Sequence, residues 1–294
     1  MAPPHSSPHP TAREHPGDHE RAHAHAHGHE SGTLAELLDL DASVLGSYLG
    51  EAMHWLSSLV AGQPRRIVDL GAGTGVGAFA LARHFPSADV IALDRSAAML
   101  GRVEEAARGI ASATRVRTVQ ADVDAGWPAV GPVDLVWSSS ALHEVADPGR
   151  VLREVRAALR PGGLVVLLEL DGPARVTFGS ASGVDAGWEE RLREAEETVR
   201  GDTHADWRTP LEDAGLPLVG LRTFAVEVGP GSPDADRYAR LSLEHFRPAL
   251  QDRLDAPDLA ALDALLAARD ADAPLPSGGV RIRTSRTAWV ARRP

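Results

Sequence analysis

Gly71, Gly73, Gly75 and Gly77 fall in one bend of the segment Ile67 to Asp94, which closes on a carboxylate after an apolar run. Glycine leaves the backbone bare, so a ligand can approach main-chain atoms there. An acid one strand, helix and strand later is placed to accept hydrogen bonds from ribose hydroxyls. Two ligands fit this outline: a dinucleotide, whose pyrophosphate would rest on a helix N-terminus, or an adenosine carrying no phosphate. The dinucleotide fingerprint spaces its glycines G-x-G-x-x-G. Here Val76 stands where the third glycine would fall, and the spacing is G-x-G-x-G.

The 294 residues carry 30 basic and 41 acidic side chains, a net charge of −11, and lack the positive field that a nucleic-acid backbone attracts. Cysteine is absent, which removes disulfides, thiolate nucleophiles and Cys-bound zinc. Lysine is absent too, which removes Schiff-base chemistry and the lysine of a phosphate-binding P-loop. No apolar stretch has secretory or membrane-spanning length, and the expectation is a soluble cytoplasmic protein with no membrane partner.

Residues 1–32, rich in His and Pro, are expected to form a disordered tail. His23, His25, His27 and His29 would bind metal there only adventitiously, and no metal site is expected. Residues 33–65 read as a helical cap. Thr33 and Glu36 have capping-box spacing, and a second helix from about Asp41 carries Leu45, Leu49, Ala52, Leu56 and Leu59 on one stripe. From Arg66 to residue 294 strands and helices alternate: "RIVDL", a helix over Val76 to Phe85, "ADVIALD", a helix capped by Ser96, "RVRTVQAD", "PVDLVWSSS", a helix started by Asp147 and Pro148 and stopped at "RPGG", and "LVVLLEL". Helices near Trp188 to Arg200 and Trp207 to Ala214 follow. Two long β-patterned runs, "LPLVGLRTFAVEV" and "VRIRTSRTAWVARR", flank a helical insert at about residues 229–278. The pattern predicts an α/β domain with a doubly wound, mostly parallel sheet. The N-terminal helices and the insert would form a lid over its carboxyl edge.

"VDLGAGTG", Asp94, "QAD" ending at Asp122, "DLVWSSSALHEVAD" and "LRPGGLVVLLEL" occur in the order found in class I S-adenosylmethionine-dependent methyltransferases, and the chain resembles that family from about Ile67 to Leu170. It looks most like the small-molecule branch similar to ubiquinone and menaquinone biosynthesis methyltransferases. The resemblance implies a Rossmann-like sheet of seven strands with an antiparallel final strand, and S-adenosylmethionine as cofactor with S-adenosylhomocysteine as product. It places Asp69 beside the methionine end of the cofactor, Gly71, Gly73 and Gly75 against it, and Ser138 among its contacts. Asp94 would take the ribose hydroxyls by charge-assisted bonds. Arg95 follows it, Met99 would lie against the adenine, and Asp122 with Val123 would read the adenine edge. Asp134, at the opposite end of its strand, reads as structural.

Methyl transfer needs nucleophile, carbon and sulfur in line, an effect of roughly 7 to 11 kcal/mol in intramolecular systems. His143 in "SALHEV" is the candidate general base, since an imidazole titrates near neutrality. Tyr48, Trp55, Glu169 and His245 are candidates for the acceptor pocket, together with Trp188 and His204. No [DN]PPY follows the fourth strand and there is neither Cys nor Asn, which turns the reading away from DNA methylation and from catechol-type metal-dependent transfer. The expected function is metal-independent methylation of a small-molecule acceptor, with a homodimer left open. A nicotinamide-dependent Rossmann oxidoreductase and a non-catalytic cofactor-binding protein are the competing readings.

Overall fold

The computed structural model describes residues 33–178, 187–200, 206–267 and 279–294. The N-terminal histidines and His204 lie outside the described residues. A first helix, α1 (33–45), leads into α2 (Ser47–Leu59). The expected second helix does not start near Asp41: the break falls at Gly46, where a β-carbon would stand 2.0 Å from the Ala42 carbonyl oxygen. Glu36 accepts a 2.7 Å hydrogen bond from Arg237, which draws α1 toward the later insert.

Sheet and helices then alternate as β1 (Arg66–Leu70), α3 (Val76–His84), β2 (Asp89–Asp94), α4 (Ala97–Ala107), β3 (Val116–Gln120), β4 (Val133–Ser139), α5 (Pro148–Ala158) and β5 (Leu159–Leu170). The side chain of Ser96 caps α4 and that of Asp147 caps α5, each accepting from the amide three residues on. β5 begins five residues before "LVVLLEL", because Leu159 already pairs with Val133 across an irregularity in the register. The remaining elements are β6 (Arg175–Phe178), α6 (Trp188–Arg200), α7 (Arg208–Asp213), β7 (Leu218–Val228), α8 (Pro233–Leu250), α9 (Ala256–Leu266) and β8 (Val280–Arg292).

The strands run in the order β3-β2-β1-β4-β5-β8, parallel from β3 through β5, with β8 antiparallel to β5 and β7 on its far side. An eighth strand joins the expected seven: β6 pairs with Val280 to Arg283 of β8, along the edge that β5 has left. Side chains from alternate positions build two cores. Ile67, Leu135, Val166, Ala288 and Val290 face α2, α3, α4 and α8, while Val68, Val136, Val165, Leu167 and Ala291 face α5 and α7. The order reverses between β1 and β4, which places a crevice at their carboxyl ends.

Asp134 sits at the other end of β4. Its carboxylate accepts from the amides of Arg65 and Arg66 at 2.8 and 2.9 Å and from Arg160 Nη1 at 2.7 Å. Burial alone would raise its pKa, but these three donors outweigh it and hold the carboxyl below its ordinary value. Because the folded pKa is depressed, the stabilisation is present above the unfolded value and lost as pH falls through the folded one. We expect Asp134→Ala to lower stability by roughly 1 to 2 kcal/mol at pH 7. In denaturant titrations the deficit should shrink as the solution is acidified below the carboxylate range.

Candidate active site

The loop after β1 turns through three left-handed glycines, Gly71 (φ 70°), Gly73 (φ 52°) and Gly75 (φ 90°), a conformation that side-chain-bearing residues avoid. Gly71 has a second reason to be bare: a β-carbon there would lie 2.3 Å from that of Ala141 in the loop after β4. The two loops that flank the crevice therefore touch. Leu38 of α1 lies over Gly73, so the first helix roofs the glycine loop.

Asp69, the last but one residue of β1, is 2% exposed and accepts from the amide of Ala78 in the first turn of α3. Gly77 makes this possible, since a β-carbon there would stand 2.8 Å from Asp69 Oδ2. Burial pushes the carboxyl up to about 7; the Ala78 amide opposes that shift and the charge of Asp94 adds to it. A pyrophosphate uses the amides of a helix N-terminus, and in this chain a fixed carboxylate faces that turn.

Asp94 ends β2 with both oxygens engaged, Oδ2 by the Gly73 amide at 2.9 Å and Oδ1 by the Ser96 amide at 2.8 Å. Each carboxylate oxygen has a further lone pair, so the loop orients Asp94 without using up its capacity to accept. Arg95 is exposed, and its carbonyl accepts from Gln120. Met99 is buried on the inner face of α4. Asp122 is exposed, with Oδ1 accepting from the amide of Asp124 at 2.9 Å. Val123 is buried beside it and passes its carbonyl to Arg150 Nη2 at 2.8 Å. Asp124 in turn accepts from the Ala146 amide, tying the loops after β3 and β4 together. Ser138 is fully buried, and its hydroxyl has no hydrogen-bond partner among the described residues.

Beyond β4, His143 Nδ1 lies 2.9 Å from Glu169 Oε2 near the end of β5, and His143 Nε2 is 3.4 Å from the exposed Glu144. Glu169 is 2% exposed, so the pair is built into the edge. Tyr48 reaches the same edge: its ring packs against Phe224, which pairs with Arg286. Burial raises the Tyr48 pKa, against the opposing charge of Arg286. The other expected pocket residues lie elsewhere. α2 runs down the sheet, so Trp55 packs edge-on against Phe224 and reaches Gly220 lower on β7. Trp188 is buried and donates to the Asp258 carbonyl, pinning α6 to α9. His245 is exposed on α8 against Phe246. Three contributors were not singled out as site residues in the sequence. Gly77 was visible only as a fourth glycine, and Arg286 with Asp41 carried no local signal. Among the described residues no group of three or more His, Asp or Glu side chains is set to hold a metal ion, and no helix is long and apolar enough to cross a membrane.

Residues 67–163 match the family described as methyltransferase domain. The chain is 32% identical over 194 residues to the malonyl-[acyl-carrier protein] O-methyltransferase of Laribacter hongkongensis, covering 64% of this chain and 61% of that one. It is 36% identical over 113 residues to the trans-aconitate 2-methyltransferase of Deinococcus radiodurans, covering 38% and 41%. The chain thus spans less than two thirds of the length of these relatives. The solved structure of the YcgJ protein from Bacillus subtilis superposes with a TM-score of 0.52, covering 83% of this chain and 97% of that one at 15% identity, a likeness of fold.

The Asp69 carboxyl has a folded pKa raised above 3.8 to about 7, so between those values the folded chain holds a proton that the unfolded chain has lost, and stability falls as pH rises. Removing this group should remove that slope. The expected outcome is that Asp69→Asn gains stability relative to the unsubstituted chain as pH goes from about 4 to about 7, read as the difference of two denaturation midpoints against pH.

Proposed function

We propose that this chain, whose residues 67–163 match the family described as methyltransferase domain, binds S-adenosylmethionine at the carboxyl edge of β1, β2 and β4 and passes its methyl group to a small-molecule acceptor. The observation that carries the cofactor is the burial of Asp69 beneath α3. A phosphate at that turn would find the Ala78 amide already engaged by the Asp69 carboxyl, whereas a cofactor without phosphate leaves the arrangement undisturbed. The donor set agrees: Asp94 and Asp122 are acceptors suited to hydroxyls and an exocyclic amine, Ser138 has hydrogen-bonding capacity to spare, and Gly73 bares the backbone between them.

When bound, the cofactor supplies an electrophilic methyl group on a sulfonium. The chain's own part is to orient and to move a proton. Asp94, gripped by two amides, holds a fixed position from which to accept the ribose hydroxyls. The contact of Gly71 with Ala141 fixes the distance between the loop that holds the cofactor and the loop that bears His143. Glu169 sets the imidazole: with Nδ1–H donating to the buried carboxylate, Nε2, beside the exposed Glu144, is the nitrogen that would take a proton from an acceptor O–H or N–H. Glu169 is thus a positioning residue for His143. The covering by α1 and α8 would exclude water from the reacting atoms. The relatives named above act on a malonyl-[acyl-carrier protein] and on trans-aconitate by their names, which supports a small acidic metabolite as the acceptor to try first.

The experiment is transfer of label from methyl-labelled S-adenosylmethionine to a panel of carboxylic, hydroxylated and amino metabolites. We expect Asp94→Ala to weaken S-adenosylhomocysteine binding at least tenfold, and His143→Ala to cut turnover roughly a hundredfold while that affinity stays within about twofold. Tight S-adenosylhomocysteine binding without transfer to any class of acceptor would favour a silent binder. Turnover that survives loss of His143 would remove the base.

A further inference from the structure

Methyl transfer as described makes no use of Arg286, although that side chain lies at the same edge. Its guanidinium is 3% exposed. Nη1 donates to Ser140 Oγ at 3.0 Å, Nη2 donates to Asp41 Oδ2 at 2.5 Å, the Tyr48 ring lies 5.0 Å from Cζ, and Nε has no hydrogen-bond partner among the described residues. Ser140 is the residue other than glycine with positive φ among the described residues, at 51°. Such strain persists where surroundings enforce it and collects at functional sites, and here it belongs to the residue whose hydroxyl seats the guanidinium.

The carboxylate opposite Arg286 comes from α1, an element that is not part of the sheet. Asp41 is partly exposed, and its other oxygen lies 3.4 Å from the Tyr238 hydroxyl. Other polar side-chain ties of α1 lie toward the surface, among them Glu36 with Arg237, Asp39 with Arg102 at 3.2 Å and Ser43 with Asp234 at 3.4 Å. So two partners of the cation, Ser140 and Tyr48, are buried or held by the site loop and the packing of α2, while the third, Asp41, is a partly exposed side chain on a helix that Leu45, Leu37, Leu40 and Val44 anchor to the core. Arginine presents planar, directional donors that match a carboxylate, and a carboxylate already fills the seat.

From this juxtaposition we infer that Arg286 and Ser140 form an acceptor subsite for a carboxylate, and that Asp41 occupies it in the absence of acceptor. The inference rests on the methyl-transfer reading. An incoming carboxylate that replaces that of Asp41 leaves the local charge unchanged, which matters because the charge of Glu169 also acts on Arg286 through the edge of the sheet. In β5 and β8, Glu169 pairs with Thr287 and Leu170 with Arg286, so the two charged side chains leave the sheet on opposite faces. An acceptor spanning the edge would keep its carboxylate on the α1 side and its O–H or N–H on the His143 side. Entry of the acceptor would need only the partly exposed Asp41 side chain to turn away, with α1 held in place by its apolar face.

The test uses the full chain and acetate as the probe. Asp41→Ala leaves a buried cation unpaired and is expected to lower Tm; acetate at about 50 mM should restore at least half of the loss, with acetamide inert and phosphate weaker at equal ionic strength. The double variant Asp41→Ala/Arg286→Gln should show no response to acetate. Equal responses of the single and double variants, or none in a folded Asp41→Ala, overturn the subsite. A second measurement does not depend on that variant folding. With S-adenosylhomocysteine bound, trans-aconitate should bind at least tenfold more tightly than its neutral trimethyl ester. Asp41→Asn should tighten the acid at least threefold more, and Arg286→Lys should weaken it while S-adenosylhomocysteine affinity holds within about twofold. Equal affinity for acid and ester contradicts the inference. Failure of S-adenosylhomocysteine to bind would strike the transfer reading instead, and the acetate experiment would still decide the subsite.

Discussion

A carboxylate buried under the first turn of a helix governs the geometry of the site. Asp69 can lie beneath α3 only because Gly77 has no side chain and because the Ala78 amide meets it. With that turn occupied, the chain must reach the helix by a path outside the carboxylate, and the left-handed glycines at 71, 73 and 75 supply it. The path brings the Gly73 amide onto Asp94 and the Gly71 α-carbon against Ala141. One desolvated acid thereby sets the distance between the end of β2 and the loop beyond β4. It also disfavours a phosphate where a dinucleotide would need one. The arrangement has a cost, since the same burial that shapes the loop keeps the carboxyl protonated up to about pH 7.

The carboxyl edge of β5 is bracketed by two pairs that differ in character. His143 with Glu169 joins a partly exposed imidazole to a buried acid, an arrangement that fixes which ring nitrogen faces outward. Arg286 with Asp41 joins a buried cation to a partly exposed acid, an arrangement in which the acid is the part that can leave. The sheet separates them by one residue along each strand. In the proposed reading, a small acceptor would be recognised by charge on one side and deprotonated on the other without a large pocket between.

Much of this was legible in the sequence where the physical need is local. A glycine that must take positive φ, a Ser or Asp that caps a helix, an acid that closes an apolar strand, and a strand apolar on both faces each declare themselves within a few residues, as at Gly71, Ser96, Asp94 and β5. The structural role of Asp134 followed from its place at the end of β4 away from the crevice. What could not be read depended on direction and distance. Tyr48 and Trp55 share a helix and both pack on Phe224, and only the descent of α2 along the sheet sets the first beside Arg286 and carries the second on to Gly220. Asp41 and Arg286 meet across 245 positions, and no spacing rule joins them. β6 is four residues long and pairs with a part of β8 that extends past β5, so its alternation was too short to register. The break between α1 and α2 was misplaced because Gly46 acts through a contact one turn away, with the Ala42 carbonyl, rather than through its propensity alone.

The central claim is that this edge takes an adenosine without phosphate. Isothermal titration of the purified chain with S-adenosylhomocysteine, and separately with NADH, tests it most directly. The account predicts micromolar binding of the first and none of the second. Binding of NADH with no binding of S-adenosylhomocysteine would contradict it, and would mean that the carboxylate beneath α3 gives way to a pyrophosphate.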